Sequence, residues 1–586
     1  MKKDLAGAAQ APEGLDTVLR YHEQTKHHFF RYAQGPDSLD WANQPDPFRR
    51  YEGAPVVALP RLRAGDAPAS PPYEDLYRAG GGVAGTALSA ASLSRFLECS
   101  LAISAWKQAG NLRWALRINP SSGNLHPTEA YLLIDQVDGL LPAPGLYHYA
   151  PREHALELRA QWPRDSLKAL LQVFPPGAFL LGLASVHWRE AWKYGERAFR
   201  YCQHDVGHAL GSARFAARML GWRMLLLDGQ DDDTVASMLG IDRPEDFEGA
   251  EREHPDGLAV LWPDAGVGLV APEAVSLPLC LDSGVTRDAP PRVWHGKANR
   301  LSPDEPVRWA GIEEVEAACS KSQQACSVVE LRQDAGTGQA AADTGTGPGL
   351  PSAAQVIRQR RSATAFDGTT AMPVDGFFAM LARTLPRVER NLGRRPAPWD
   401  AVPWAPAIDL ALFVHRVDGL TPGLYMLARD PAHMEPLRRA TYKEYAWSVP
   451  TGCADDLPLF LLQQADVREL AAQLCCGQRI AADGAFSLGM IAHFEAGLRR
   501  QGPWFYRRLF WETGLIGQVL YLEAEAVGLR ATGIGCFFDD PVHQVLGFQG
   551  AAFQSLYHFA IGAPVDDPRL TTLPPYGLEN EGESRA

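Results

Sequence analysis

"GWRMLLLDGQDDDTVASMLGI" (Gly221–Ile241) and "GLRATGIGCFFDDPVHQVLGF" (Gly528–Phe548) align without a gap, and this self-similarity decides how the chain is read. Gly221/Gly528, Arg223/Arg530, Asp232/Asp539, Asp233/Asp540, Val235/Val542, Leu239/Leu546 and Gly240/Gly547 coincide. A repeat at long period marks duplicated architecture, so it is weighed before any short motif. Working outward, VDGLLPAPGLYHY from Val137 and VDGLTPGLYML from Val417 each pass an apolar run through a Pro-Gly turn into a second run, the pattern of a hairpin. AFLLGLASV (Ala178–Val186) and LPLFLLQQA (Leu457–Ala465) read as matching buried strands, each followed by a helix-like segment. GLAVLWPDA (Gly257–Ala265) and HFAIGAPVD (His558–Asp566) close the two halves alike.

Strands too apolar to face water, alternating with long helices, predict layered α/β or α+β domains. Between the halves, Gln333–Gln355 is rich in Gly, Ala, Thr and Pro and cannot bury a core, which makes it a tether. A tether makes pairing of the halves intramolecular, so a pseudo-dimer is expected. The expected division is an extension over 1–60, a first domain over 61–300, a connection over 301–352 with low complexity from 333, and a second domain over 353–586.

The bulk numbers agree with a large folded chain. At roughly 150 residues per domain, 586 residues leave room for about four domains. Hydrophobic residues make up 46% and charged residues 21%, enough for ample core. A net charge of -13 disfavours nucleic acid as a partner, so any anion must be held by local cations. The nine cysteines show no disulfide spacing, and reduced thiols are expected. "MKKDLAGAAQAPEG" lacks an apolar signal core and no apolar run approaches ~18 residues, which reads as a cytoplasmic protein without a membrane span.

The halves also differ. Only the first carries PSSGN (Pro120–Asn124), a rigid residue, two hydroxyls, a permissive glycine and a carboxamide; the second has PWAPAIDLALFV (Pro403–Val414) there. Such a loop can present polar groups to a planar ligand, or be a plain turn. Only the second carries RQRRSATAF (Arg358–Phe366), where Arg360, Arg361 and Ser362 offer charge-assisted donors to a phosphate, or form a solvated basic helix end.

Together RRSxxxF, the PSSxN loop, a late G-x-G-x-F segment and a terminal strand ending near an arginine resemble the flavin-binding nitroreductase superfamily. YHEQTKHHF (Tyr21–Phe29), LDWANQPDPFRRY (Leu39–Tyr51), PSSGNLHPTEAY and PGLYHY resemble its SagB/ThcOx-type dehydrogenase branch. The resemblance implies two tandem α+β sandwich domains with FMN between them. It assigns the phosphate to Arg360, Arg361 and Ser362, with Thr364 standing where many relatives carry a basic residue. It places Pro120, Ser121, Ser122 and Asn124 against the flavin from across the interface, and a backbone N–H from Thr532, Gly533, Ile534 or Gly535 near flavin N5. Arg569 would be a further cation. Only one complete set is present, because the other crevice would pair Ala405–Ile408 with Leu225–Gly229, and that one is expected to hold no flavin. Azoline dehydrogenases of the branch use a Lys-Tyr pair near the flavin; Tyr442, Lys443 and Tyr445 are suggestive of it without a residue-by-residue match.

The expected activity is FMN-dependent oxidation of a small molecule or peptide, azoline rings by resemblance. The alternatives are an NAD(P)H-dependent nitro or quinone reductase and a flavin-free scaffold. GGGVAG (Gly80–Gly85) follows no strand and is not read as a dinucleotide loop. HDVGH (His204–His208) has no third ligand in view and reads as a buried pairing helix, so no metal is expected. Adjacent Cys475 and Cys476 diverge on a helix and do not read as a redox pair. Trp188, Trp192 and Trp404 are candidates for a pocket wall or for core.

Overall fold

Apolar runs that feed turns become the strands of two sheets in the computed structural model, which describes residues 12–61, 69–78, 83–264, 274–282, 284, 293–332, 351–388 and 394–576. Gly80–Gly82 of the GGGVAG motif and the low-complexity stretch 333–350 lie outside the described residues. The first half supplies β1 (Val56–Ala58), β2 (Thr128–Ile134), β3 (Gly145–Ala150), β4 (Ala155–Gln161), β5 (Phe179–Ser185), β6 (Trp222–Leu226) and β7 (His254–Pro263). The second supplies β8 (Ile408–Val414), β9 (Gly423–Leu427), β10 (Leu459–Gln464), β11 (Phe486–His493), β12 (Arg530–Ile534) and β13 (Phe553–Gly562). The spatial orders are β1-β4-β3-β2-β5-β7-β6 and β10-β9-β8-β11-β13-β12, so the second sheet repeats the first without its edge strand. Neighbours run antiparallel throughout.

This topology corrects one correspondence. Ala178–Val186 forms the central β5, whereas Leu457–Ala465 forms the edge strand β10, whose true counterpart is β4. The central strand is buried on both faces and the edge strand is not, yet both spell short apolar runs, and sequence alone gives no neighbour.

Helices follow in chain order as α1 (His187–Tyr194), α2 (Ala198–Met219), α3 (Asp232–Leu239), α4 (Ala353–Gln359), α5 (Phe505–Ala526) and α6 (Asp539–Leu546). All of α2 is buried, as is α5 from Phe505 to Ala524, the state of a helix enclosed on every side. They cross at Gly207 and Gly514, equivalent positions of the repeat. A Cβ on Gly207 would stand 2.3 Å from the Trp511 carbonyl oxygen, and one on Gly514 would stand 2.2 Å from that of His204. The contact is therefore self-complementary, as a twofold interface requires.

The same symmetry governs the buried ion pairs. Arg200 Nη1 reaches Asp539 Oδ1 at 2.9 Å, and its equivalent Arg507 Nη2 reaches Asp232 Oδ2 at 2.5 Å. Burial alone would raise Asp539, but Arg197 and Arg200 hold its carboxyl well below the usual range. Removing one partner of such a pair costs about 3–5 kcal/mol, so these bridges fix how the halves dock.

Segments outside the sheets tie the halves further. The helix Leu15–Gln24 brings His22 to Tyr506 and Gln554, both at 3.1 Å, and Tyr21 to the Glu196 carbonyl at 2.6 Å. The expected connection contains a helix, Ala310–Cys319, and a strand, Val328–Arg332, that pairs with Ala274–Pro278. Beside that pair Cys280 and Cys326 are bonded at 2.16 Å, which corrects the expectation of uniformly reduced thiols. They lie 46 residues apart and meet only through strand pairing, which no spacing rule shows. Among the described residues no helix is long and apolar enough to cross a membrane.

Candidate functional site

The loop Pro120–Asn124 is shaped by two successive left-handed residues, Gly123 (φ 58) and Asn124 (φ 61), and by His126 (φ 53). Its hydroxyls and amides hold it there. Ser122 N and Oγ donate to Asp205 Oδ1 at 3.0 and 3.1 Å, His126 N donates to Ser121 Oγ at 2.8 Å, and Asn124 Nδ2 donates to the Ala115 carbonyl at 2.9 Å. Asp205 is the second residue of HDVGH, so that motif braces the loop from α2. Burial pushes its carboxyl up to about 7 despite those hydrogen bonds. Behind it Glu190 is held well above the carboxylate range, first by burial and then by Asp205, which limits negative charge beneath the loop at neutral pH.

From the other half, α4 ends at Arg360, where the chain turns and latches onto β12 through Ala363 N and the Ala531 carbonyl at 3.0 Å. Arg360 is buried and crosses between halves, donating from Nη2 to the Arg117 and Ile118 carbonyls at 2.9 and 3.1 Å while its guanidinium stands 5.0 Å over the Tyr521 ring. Arg361 Nη2 donates to the Ser104 carbonyl at 3.1 Å. Ser362 Oγ meets the Tyr521 hydroxyl at 2.9 Å, and that hydroxyl accepts the Gly533 amide at 3.0 Å.

These segments line one cavity of about 410 Å³. Its wall includes Pro120, Ser121, Ser122 and Asn124 from the first half, and Arg360, Arg361, Ser362, Thr364, Gly533, Ile534 and Gly535 from the second. The glycines are spatial requirements, since a Cβ on Gly533 would stand 2.0 Å from the Tyr557 hydroxyl and one on Gly535 2.3 Å from Tyr201 Cε1.

Arg569 is the correction. Its side chain is 85% exposed, it pairs with Asp567 at 2.7 Å, and it does not line the cavity. The carboxylate two residues earlier captures it. Lys107 and Arg530 line the wall instead, from the hairpin Ile103–Ala109/Leu112–Arg117 and from β12. Burial, then Arg360, push Arg361 down to about 10, and Lys107 is lowered by burial and by Arg361 and Arg530. Asp566 answers part of this charge, pairing with Arg530 at 2.5 Å. Arg360 Nε, Asn119 Oδ1 and His208 Nδ1, all on wall residues, are buried without a partner among the described residues. A wall with crowded cations and unpartnered polar atoms is suited to an anionic polar ligand.

Sequence reading missed Tyr201, whose hydroxyl donates to the Gly535 carbonyl at 3.1 Å, and the Tyr521 relay. It also missed Lys193 and Tyr194 at the end of α1. A Cβ on Gly123 would stand 2.6 Å from the Tyr194 hydroxyl and 3.2 Å from Lys193 Nζ. Tyr442 and Tyr445 instead donate to the Gln544 and Val545 carbonyls, away from the cavity. Trp188 and Trp192 donate inward to Ser302 and to the Asp40 carbonyl and lie in the core, as does Trp404.

At the counterpart crevice, Leu225–Gly229 meets the chain's own residues. Gly229 N donates to the Leu279 carbonyl at 2.7 Å, Arg508 Nε donates to Asp228 Oδ1 at 2.7 Å, and Lys321 Nζ binds the Asp228 carbonyl. Arg508 is the repeat equivalent of Tyr201. Glu512, the equivalent of Asp205, accepts the Ala407 amide at 3.0 Å, so the bracing survives where the hydroxyl loop does not.

Two sandwich halves sharing one polar crevice define a tandem α+β fold, and comparisons with known proteins place it. Residues 86–250 match the model of the nitroreductase family. A nitroreductase-like protein of Methanocaldococcus jannaschii is 27% identical over 128 residues, 21% of this chain and 63% of its own length. The crystal structure of a nitroreductase-like protein from Anabaena variabilis superimposes with a TM-score of 0.64 at 23% identity, covering 94% of this chain and 99% of that one. Residues 86–250 thus carry a nitroreductase-family match, and the chain as a whole shares the fold of the Anabaena protein.

Proposed function

We propose that the protein is an FMN-dependent oxidoreductase of the SagB/ThcOx type, with one flavin site per chain. The observation that carries the reading is the convergence of Pro120–Asn124 and Arg360–Ser362, from opposite halves, on one cavity. FMN fits the donor set. The guanidinium groups of Arg361 and Arg530 and the Lys107 ammonium suit a phosphate, the Ser121–Asn124 loop suits the polar edge of a ring, and Gly533 and Gly535 let backbone approach a planar face. When bound, the flavin would supply two-electron redox chemistry. The chain's own part is to orient and to manage protons: Arg360 fixes the two halves, Asp205 holds the loop, and Tyr521 fixes the Gly533 amide and Ser362.

Lys193 and Tyr194 pack on Gly123, and on that contact we assign them to the substrate side in the role of the branch's lysine and tyrosine. Tyr194 is held well above its ordinary value by burial and then by Glu190, so its hydroxyl stays protonated and can donate. The substrate would be an azoline-type ring in a peptide. Released FMN should amount to one or fewer per chain. Arg360→Ala and Asn124→Ala should each lower flavin retention, and unchanged occupancy in both would overturn the composite site. Lys193→Ala and Tyr194→Phe should keep flavin while losing substrate oxidation; full activity in both would remove them from the mechanism.

A second cavity of about 650 Å³ shares Trp114 and Asn124 with the first and is lined by Arg61, Arg113 and Arg152. These cations also suit a nicotinamide nucleotide, the reductase reading. Rapid bleaching of the flavin by NADPH would favour that reading over the dehydrogenase.

A further inference from the structure

Cys536 follows the Gly533–Gly535 segment and lines the same cavity. Cys476 stands just past the helix Arg468–Leu474, in a left-handed conformation (φ 54), and its sulfur meets that of Cys536. The two sulfurs lie 2.7 Å apart, closer than unbonded sulfurs ordinarily approach. Both are partly exposed, whereas Cys99, Cys202, Cys319 and Cys475 are buried. Hydrogen bonds hold the two segments together on either side: the Gln478 side-chain Nε2 donates to the Cys536 carbonyl at 3.0 Å, and Phe538 N donates to the Leu474 carbonyl at 2.8 Å. In the repeat, the position of Cys536 is Gly229, so the pair belongs to the complete crevice alone.

We propose that Cys476 and Cys536 form a redox-active dithiol that closes to a disulfide by exchange with low-molecular-weight disulfides. The two thiols are unequal. The hydrogen bond with Cys476, then His27 and Arg197, outweigh burial and bring Cys536 down to about 5, while Cys476 is pushed up. Cys536 is therefore the nucleophile and Cys476 the resolving thiol, since the thiolate is the attacking species. In the first step the Cys536 thiolate attacks one sulfur of R–S–S–R, forming a mixed disulfide and releasing one thiolate. Cys476 then gives up its proton, attacks the Cys536 sulfur and expels the second thiolate. Two protein thiols are oxidised to one disulfide while R–S–S–R is reduced to two R–SH. This chemistry does not depend on the flavin reading.

The test is exposure of the purified full chain to glutathione disulfide, followed by peptide mapping and thiol titration under native conditions. Wild type should lose two titratable thiols, gain a Cys476–Cys536 bond and carry no glutathione on either residue. Cys476→Ser should accumulate glutathione on Cys536, and Cys536→Ser should leave Cys476 unmodified. A wild-type chain that keeps both thiols, or that carries a stable glutathione adduct on either, would overturn the proposal. So would a Cys536→Ser chain in which Cys476 reacts as fast as in wild type.

Discussion

Replacing Gly514 by alanine sets two effects against each other. Alanine gains about 1 kcal/mol over glycine in a helix interior. The added Cβ would stand 2.2 Å from the His204 carbonyl oxygen and 2.7 Å from Gly207 Cα, backbone atoms that no rotamer change can move. Overpacking of this kind costs about 1–3 kcal/mol, and more where whole helices must separate. The clash should win, with α2 and α5 forced apart where the halves cross. Asp205, which braces the loop, and Tyr521 lie on these two helices, so retention of the proposed flavin should fall with stability. Gly207→Ala meets the Trp511 carbonyl at 2.3 Å and crowds the same crossing, so the double variant should cost less than the sum. Gly376→Ala is the control, because its Cβ meets only Met372 Cε at 3.4 Å and should be neutral or stabilising. Urea unfolding followed by tryptophan fluorescence measures the difference. A Gly514→Ala midpoint equal to or above wild type would refute the close-packed crossing.

Two further outcomes test electrostatics. Arg530→Ala should weaken flavin retention while Arg569→Ala leaves it unchanged; the reverse order would return Arg569 to the site. Glu523, hydrogen-bonded to Tyr73 at 2.8 Å, is pushed by burial up to about 7. Its unfolded value is about 4.3, so the folded state binds the extra proton between these values and its stabilising contribution is lost as pH rises through about 7. Glu523→Gln keeps the acceptor and should remove roughly 2 kcal/mol of the stability decline between about pH 5 and 7. An unaltered pH slope in the urea midpoint would show that Glu523 does not hold that proton.

The duplication was legible because its matched residues have jobs that fix their identity. Gly240 and Gly547 both end helices in the left-handed region, at φ 65 and 88, and Asp232 and Asp539 both receive an arginine from the opposite half. The loop and the arginine segment were legible for a related reason: each half lacks what the other has. What failed was anything decided by neighbours in space. The runs at Ala178 and Leu457 look alike but occupy a centre and an edge. Arg569 reads as a cation for the cavity until Asp567 is seen to hold it. Lys193 and Tyr194 carry no pattern that distinguishes them from an ordinary helix end, and only the close approach to Gly123 singles them out.

Covalent joining of the halves has an evolutionary consequence. In a homodimer every substitution appears twice, so a residue that improves one crevice must be tolerated in the other. Here Arg508 and Lys321 could close around Asp228 without touching the crevice that Arg360 and Asn124 line. One crevice can thus tie the molecule together while its counterpart keeps an open, differently lined cavity.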